Sequence, residues 1–336
     1  MKRAKAVLGY GVLLVLVVAA AMAGFAWHWV YSPVTLDSSP IDYTIEPGSS
    51  PRTIARTMNR QGIHVNETGF ILLARLSGRA KGLKAGAYET QTGDTPWKLL
   101  ERMANGDMTQ ARLTLVEGWT YKRIRQALRD DPDVKHTLDG VSDKELLARL
   151  GSDQASPEGL FFPDTYVFAP GTTDFDILRR AYHAEQSLLA SLWADRDPGL
   201  PLESPYQALI LASLVEKETG HSTDRRRVAG VFINRLRLNM PLQTDPSVIY
   251  GMGDAYHGKL HKKDLETDTA WNTYTRTGLP PTPIACPGRA SLLAALHPEA
   301  HKYLYFVSRG DGTSEFSTDL ASHNRAVAKY ILGKHQ

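Results

Sequence analysis

Ser204-Pro205-Tyr206-Gln207-Ala208-Leu209-Ile210-Leu211-Ala212-Ser213-Leu214-Val215-Glu216-Lys217-Glu218-Thr219-Gly220 is the stretch on which the reading of the chain turns. Ser204 is an N-cap type with proline at the first helical position, and Gly220 suits the residue just past a helix end. The interval predicts about four turns of helix. At about 100° per residue, Ala208, Leu211, Leu214 and Val215 form an apolar arc. Glu218 projects into the middle of that arc, Glu216 falls on its edge, and Lys217 and Ser213 face away. A carboxylate among apolar neighbours is costly unless it is paired or protonated. The same desolvation lets a glutamate act as a general acid near neutral pH. Taken alone, such a glutamate is more often at the rim of a core or paired with a buried arginine, so the rest of the sequence has to decide.

The 336 residues, 42% hydrophobic and 22% charged, suit two globular domains with a sizeable core. One stretch departs from that average. Ala6 to Val30 carries no charge unless His28 is protonated, which suits a bilayer-crossing helix. Lys2, Arg3 and Lys5 precede it and no basic cluster follows closely. The positive-inside rule then puts residues 1–5 in the cytoplasm and everything beyond Tyr31 outside it. Ala21-Met22-Ala23 offers a signal-peptide cleavage site as the competing reading. The apolar run continues past it through Phe25, Trp27 and Trp29, interfacial aromatics that favour an uncleaved anchor at 6–30.

The net charge of +3 is accounted for by the three basic residues before the span, so the outer part is formally neutral. That argues against nucleic acid as a partner, which would need a basic surface. The single cysteine, Cys286, makes no intramolecular disulfide, and no Cys or His cluster has metal spacing. Metalloprotease, serine-hydrolase, P-loop and dinucleotide fingerprints are absent from the sequence. No metal and no cofactor are expected.

Residues 31–40 form a polar linker with two prolines. A weak internal repeat follows. Gly48, Gly93 and Gly118 are each followed two residues later by a hydroxyl N-cap candidate (Ser50, Thr95, Thr120). Apolar anchors lie six and ten residues after each glycine: Ile54 and Met58, Leu99 and Met103, Ile124 and Leu128. That spacing keeps both anchors near one helix face, and units so small are expected to pack together. From Pro157 the texture changes to an aromatic, turn-rich entry. Helices are predicted over 175–194, 204–219, 224–238 and 320–332, and strands over 303–307 and 315–317. Asp245 reads as an N-cap with Pro246 behind it, and 278–287 as a rigid proline loop. The fold class is α+β.

Polar residues gather in the second half: Gln243, Thr244 and Asp245; Asn272 and Tyr274; His323 and Asn324. Amides, hydroxyls and aromatic rings are what a sugar-binding cleft needs. Each has a duller alternative, Asp245 as a cap and His323 as a structural histidine.

Val215-Glu216-Lys217-Glu218-Thr219, Phe232-Ile233-Asn234-Arg235-Leu236, Leu242-Gln243-Thr244-Asp245-Pro246-Ser247-Val248-Ile249-Tyr250-Gly251, Asn272-Thr273-Tyr274 and Gly278-Leu279-Pro280-Pro281 occur in that order. Together they resemble the YceG-like endolytic murein transglycosylases (MltG) of bacteria. The resemblance covers nearly the whole chain: the anchor, a LysM-like region at 41–156 and a catalytic domain at 157–336. It implies a single-pass inner-membrane enzyme with a periplasmic catalytic domain. Such an enzyme cleaves the β-1,4 bond between N-acetylmuramic acid and N-acetylglucosamine in nascent peptidoglycan, and so can terminate glycan elongation. Peptidoglycan strands are its substrate, and peptidoglycan synthases are expected partners. The family's catalytic glutamate falls on Glu218, the residue the helical wheel also selects. Glu216, Gln243, Thr244, Asp245, Asn272 and Tyr274 match motif positions and are expected to bind substrate. Glu216 is the alternative acid. The rival from another class is a membrane-anchored peptidoglycan-binding scaffold without catalysis; a hydrolytic muramidase is the nearer one.

Overall fold

A computed structural model describes residues 2–333. Residue 1 of the expected tail and residues 334–336 of the expected catalytic domain lie outside the described residues. The architecture is mixed α+β, and contacts group into two compact units. One runs up to Ala111 and takes in Val167–Gly171; the other comprises Arg112–Tyr166 and the chain from Thr172 on.

The first unit begins with helix α1 (Lys2–Tyr31). Its stretch Leu13–Tyr31, mean hydropathy 2.0, is long and apolar enough to cross a membrane. Strands β1 (Thr35–Leu36) and β2 (Ile41–Ile45), helix α2 (Pro51–Arg60), β3 (Ile63–His64), helix α3 (Glu67–Leu76), β4 (Gly86–Thr90) and helix α4 (Pro96–Asn105) follow. β2 and β4 pair antiparallel with Tyr43 opposite Tyr88, and their rings sit 5.8 Å apart. Alternation along β2 turns Ile41, Tyr43 and Ile45 inward, as a strand with one covered face requires. They share a core with Ile54, Met58, Phe70, Leu99 and Met103.

The second unit contains β5 (Ala111–Thr114) from its second residue, α5 (Tyr121–Asp130), β6 (Val134–Lys135), α6 (Asp143–Leu150) and the start of β7 (Thr165–Phe168). β8 (Thr172–Thr173) pairs parallel with β6 and leads into α7 (Asp174–Ala194). Then come α8 (Pro205–Glu218), α9 (Ser222–Arg237), α10 (Asp245–Met252), α11 (Lys262–Glu266) and α12 (Arg289–Leu296). The hairpin β9 (Tyr305–Ser308) and β10 (Ser314–Ser317) and helix α13 (Leu320–Val327), with a π-turn over Ala328–Leu332, close the described chain.

All three predicted caps form: Ser50 accepts from the Thr53 N–H, Thr95 from Lys98 and Thr120 from Arg123. The preceding Gly48, Gly93 and Gly118 sit at φ of 79°, 95° and 77°, where a side chain would be strained. Two further copies carry the same pattern without having been expected. Gly140 leads to the Ser142 cap with Leu146 and Leu150 buried, and Gly171 to the Thr173 cap with Ile177 and Ala181 buried. The first two copies share one core, with Ile54, Met58, Leu99 and Met103 together. The third groups with the second unit, because its Tyr121 N–H donates to the buried Glu158 carboxylate at 2.9 Å and its ring stacks on Phe161 at 5.5 Å. Residues 112–156 thus group with the C-terminal part of the chain, whereas the sequence partition places its boundary at 156/157.

Helix α8 is the axis of the second unit, in contact with α7, α9, α10 and α12. Ser204 caps it, accepting from the Gln207 N–H, with proline behind. Two expectations about it fail. Every residue from Ala208 to Val215 is buried, so this part of the helix has no polar side, as expected of a stretch enclosed by neighbours. Ser213, expected to face away, donates to the Ile210 carbonyl at 2.7 Å and accepts from the Ile284 N–H at 3.0 Å. Gly220 is not a left-handed terminator either. The helix stops because Thr219 turns to extended backbone, φ −144° and ψ 126°.

Candidate active site

Glu218 is the last residue of α8, where the buried helix ends against a cleft of about 330 Å³. That volume lies at the small end of the range for ligand sites. The lining comprises Glu218; Leu242, Gln243 and Asp245 from the α9–α10 loop and the start of α10; Tyr274; Arg235; Tyr305 and Phe306 of β9; and Leu320 and His323 of α13. Four expected site residues, Glu218, Gln243, Asp245 and Tyr274, therefore meet on one wall system.

Burial pushes the half-buried Glu218 carboxyl up to about 7, with the Asp245 charge adding to the rise and the Thr244 hydroxyl opposing it. Thr244 is buried beside it, and its Oγ1 makes no well-formed hydrogen bond. Its backbone is fixed by an N–H donated to Thr273 Oγ1 at 3.0 Å. Asp245 does not cap α10. It occupies the first helical position behind Thr244, with Pro246 in the second. Its carboxylate accepts the Tyr274 hydroxyl at 2.6 Å.

Arg235 organises the walls. Its Nε donates to the Leu304 carbonyl at 2.7 Å, and its Nη1 to the Pro241 and Leu242 carbonyls and to Gln243 Oε1 at 2.9, 3.0 and 3.1 Å. One buried guanidinium fork thus ties the loop before α10 to the strand side of the cleft. Gln243 sits at φ 51°, a conformation that costs a non-glycine residue on the order of 1 kcal/mol or more and gathers at functional sites. The Arg235 guanidinium lies 5.0 Å from the Tyr305 ring centre, and Tyr305 stacks on His323 at 5.2 Å. Burial, then the Arg235 charge, lowers the His323 pKa, and its buried Nδ1 has no hydrogen-bond partner.

Asn272 and Glu216 stand elsewhere. Asn272 is fully buried; its amide donates to the Leu265 and Thr267 carbonyls at 3.0 and 2.7 Å and accepts the Tyr274 N–H at 2.8 Å. It shapes the loop that presents Tyr274 and has no amide hydrogen left for a ligand. Glu216 accepts the Gly288 N–H at 3.1 Å and the Ser291 hydroxyl at 2.6 Å. It serves the N-terminus of α12, where a carboxylate is favoured, and is not among the cleft residues.

Sequence reasoning missed Arg235, Tyr305, Phe306 and Leu320 as cleft residues. Arg235 carries one signal, an arginine on the apolar stripe of α9 that must find partners when buried. The other three carry none, since strand and helix-start residues become walls only through tertiary packing. Among the described residues no group of three or more potential ligands is placed to hold a metal ion.

The arrangement is a protonatable carboxyl at the end of a dry helix, facing aromatic rings, an amide and a hydroxyl-bonded carboxylate. It can deliver a proton to a polar oxygen of a ring-shaped ligand and take one back. The sequence pattern of the YceG-like family matches residues 43–329. The chain is 32% identical over 323 residues to an endolytic murein transglycosylase of Bacillus subtilis, an alignment covering 90% of this chain and 89% of that protein. It is 26% identical to an endolytic murein transglycosylase of Streptococcus pneumoniae, covering 96% of this chain and 65% of that one. Among solved structures, that of a yceG-like protein from Listeria monocytogenes superposes with a TM-score of 0.56 at 30% identity, covering 85% of this chain and 98% of that one.

Proposed function

The chain belongs to the YceG-like family, and on that premise we propose that it is an endolytic murein transglycosylase, a lyase that cuts within peptidoglycan strands without water. The observation that carries the reading is Glu218, a carboxyl held near pKa 7 in a cleft of aromatic and polar side chains. Protonated, Glu218 donates to the leaving glycosidic oxygen as positive charge develops at the anomeric carbon of the muramic acid. As carboxylate, it then takes the proton of that sugar's C6 hydroxyl. The C6 oxygen closes on its own anomeric carbon, which forms the 1,6-anhydro ring as the glycosidic bond breaks. The attacking group is tethered, so its effective concentration is high, and general acid–base help of this kind contributes roughly 10²–10⁴ in rate.

In this scheme Gln243, Asp245 and Tyr274 contact the sugars. Thr244 serves the Glu218 carboxylate, and Asn272 positions Tyr274. Glu216 braces the helix that carries Glu218. Residues 41–156 serve as a LysM-like glycan-holding region, a reading supported over 41–90 by the β2–α2–β3–α3–β4 order with β2 and β4 paired. The apolar N-terminal helix anchors the enzyme in the inner membrane with the catalytic domain on the periplasmic side. Peptidoglycan synthases, which supply nascent strands, are the expected partners.

Asp245 favours one second reading. A hydrolytic muramidase needs a further carboxylate to activate water, and Asp245 lines the same cleft. Its engagement by Tyr274 at 2.6 Å supports a positioning role over that of a free base. Mass spectrometry of glycan fragments separates the readings. Internal cuts ending in 1,6-anhydromuramic acid are expected. Reducing ends mean hydrolysis, and intact strands mean a binding scaffold.

A further inference from the structure

The outer end of α1 is packed onto the first unit by a close approach. A Cβ on Gly69 of α3 would lie 2.8 Å from the Trp29 indole, so glycine lets that ring lie directly on the helix. Phe25, Ala26, Trp29 and Val30 thereby form one wall of an apolar groove of about 470 Å³, and Leu72, Leu73 and Leu76 of α3 form the other. Leu72 and Leu76 are 54% and 79% exposed. Two exposed leucines one turn apart on a soluble helix are unusual where they continue an apolar surface.

Depth decides what covers them. The apolar stretch Leu13–Tyr31 has 19 residues, about 28 Å of helix, close to the hydrocarbon thickness of a bilayer. A membrane that covers it brings Phe25 and Trp29 to the outer boundary, where they line one groove with α3. Trp27 and Tyr31 pair at 4.6 Å, and Tyr31 lies 6.2 Å from Trp97, an aromatic cluster at the level where such rings collect. The segment that continues α3, residues 75–84, contains Arg75, Arg79, Lys81 and Lys84 and no acidic residue. Arg79 lies 4.6 Å over the Trp97 ring; Arg75 and Lys81 are exposed.

We propose that α3, the basic segment after it and the outer end of α1 form a lipid-docking surface. Leu72 and Leu76 enter the outer leaflet beside the anchor, and residues 75–84 meet anionic phospholipid headgroups. The proposal rests on the reading of α1 as a membrane anchor. It makes the anchor a fixed mount that holds the first unit flat on the bilayer.

The test uses the full chain reconstituted in phosphatidylglycerol vesicles with brominated acyl chains. A polarity-sensitive fluorophore is placed on Leu76→Cys, on Phe25→Cys in the anchor, or on Asp42→Cys on the exposed face of β2; the native Cys286 is buried and does not compete. Quenching at Phe25 and Leu76 but not at Asp42 is expected. Arg75→Glu with Lys81→Glu, or phosphatidylcholine in place of phosphatidylglycerol, should weaken quenching at Leu76 and leave it unchanged at Phe25. Quenching at Phe25 with none at Leu76 overturns the docking surface and leaves the anchor. No quenching at Phe25 overturns the anchor reading itself. A Leu76 probe shielded in native membranes but not in pure lipid assigns the surface to a protein partner and overturns the lipid assignment. Equal quenching in both lipids overturns the headgroup contact.

Discussion

Tyr274 donates its hydroxyl to Asp245 at 2.6 Å, and both line the cleft into which Glu218 ends helix α8. Burial raises the Glu218 carboxyl to about 7, and the Asp245 charge adds to that rise. Activity that needs protonated Glu218 falls as pH rises through that value. Asp245→Asn removes a neighbouring negative charge, which lowers the pKa of Glu218 and moves the alkaline limb to lower pH. A pH profile of kcat/KM for wild type and Asp245→Asn reads this directly; an unmoved limb would separate Asp245 from the acid.

Glu216→Gln tests the division of labour between the two glutamates. The carboxylate serves Gly288 and Ser291 at the start of α12, so the substitution should cost about 1–3 kcal/mol of stability. The fraction that stays folded should turn over at near wild-type rate. A stable but inactive Glu216→Gln enzyme would transfer the acid role to that residue.

Asn272→Ala should act through Tyr274. Removing the amide strands the Leu265 and Thr267 carbonyls and the Tyr274 N–H, at a cost of about 2 kcal/mol or more. KM should rise more than kcat falls, since the loop that presents a sugar contact loosens while the acid stays in place. Thermal melts together with steady-state kinetics check both parts.

Much of the fold is legible in local spacing. A glycine, a hydroxyl two residues on, and apolar residues at the sixth and tenth positions specify a turn, a cap and a helix face by local chemistry, and all three copies read that way form. The copies at Gly140 and Gly171 obey the same rule, although the sequence reading does not include them. The helical wheel selects Glu218 on a premise that holds only in part: Lys217 is exposed as expected, but α8 is buried on every side from Ala208 to Val215. Its desolvation comes from ending a core helix at a cleft. Tyr305, Phe306 and Leu320 are not legible as site residues: only the packing of the hairpin and α13 places them there. The four-acceptor grip of Arg235 on Leu304 and the 241–243 loop is likewise a tertiary fact.

Glu185 offers a stability prediction away from the site. Both carboxyl oxygens are buried without partners, and burial raises its pKa from 4.5 to about 8. The folded state keeps this proton where the unfolded chain has lost it, so unfolding releases a proton between those values. Stability present at low pH is therefore lost as pH rises from about 4.5 toward 8, by on the order of a few kcal/mol. Glu185→Gln should flatten that slope in denaturant melts taken across the range. A wild-type slope in the variant would assign the pH dependence to another group.

The most direct test of the central claim is Glu218→Gln beside wild type, both shown folded by circular dichroism, on the same purified glycan strands with fragments read by mass spectrometry. Internal cleavage with 1,6-anhydromuramic ends by wild type and none by the variant is the predicted result. Near-normal turnover by a folded Glu218→Gln enzyme would contradict it.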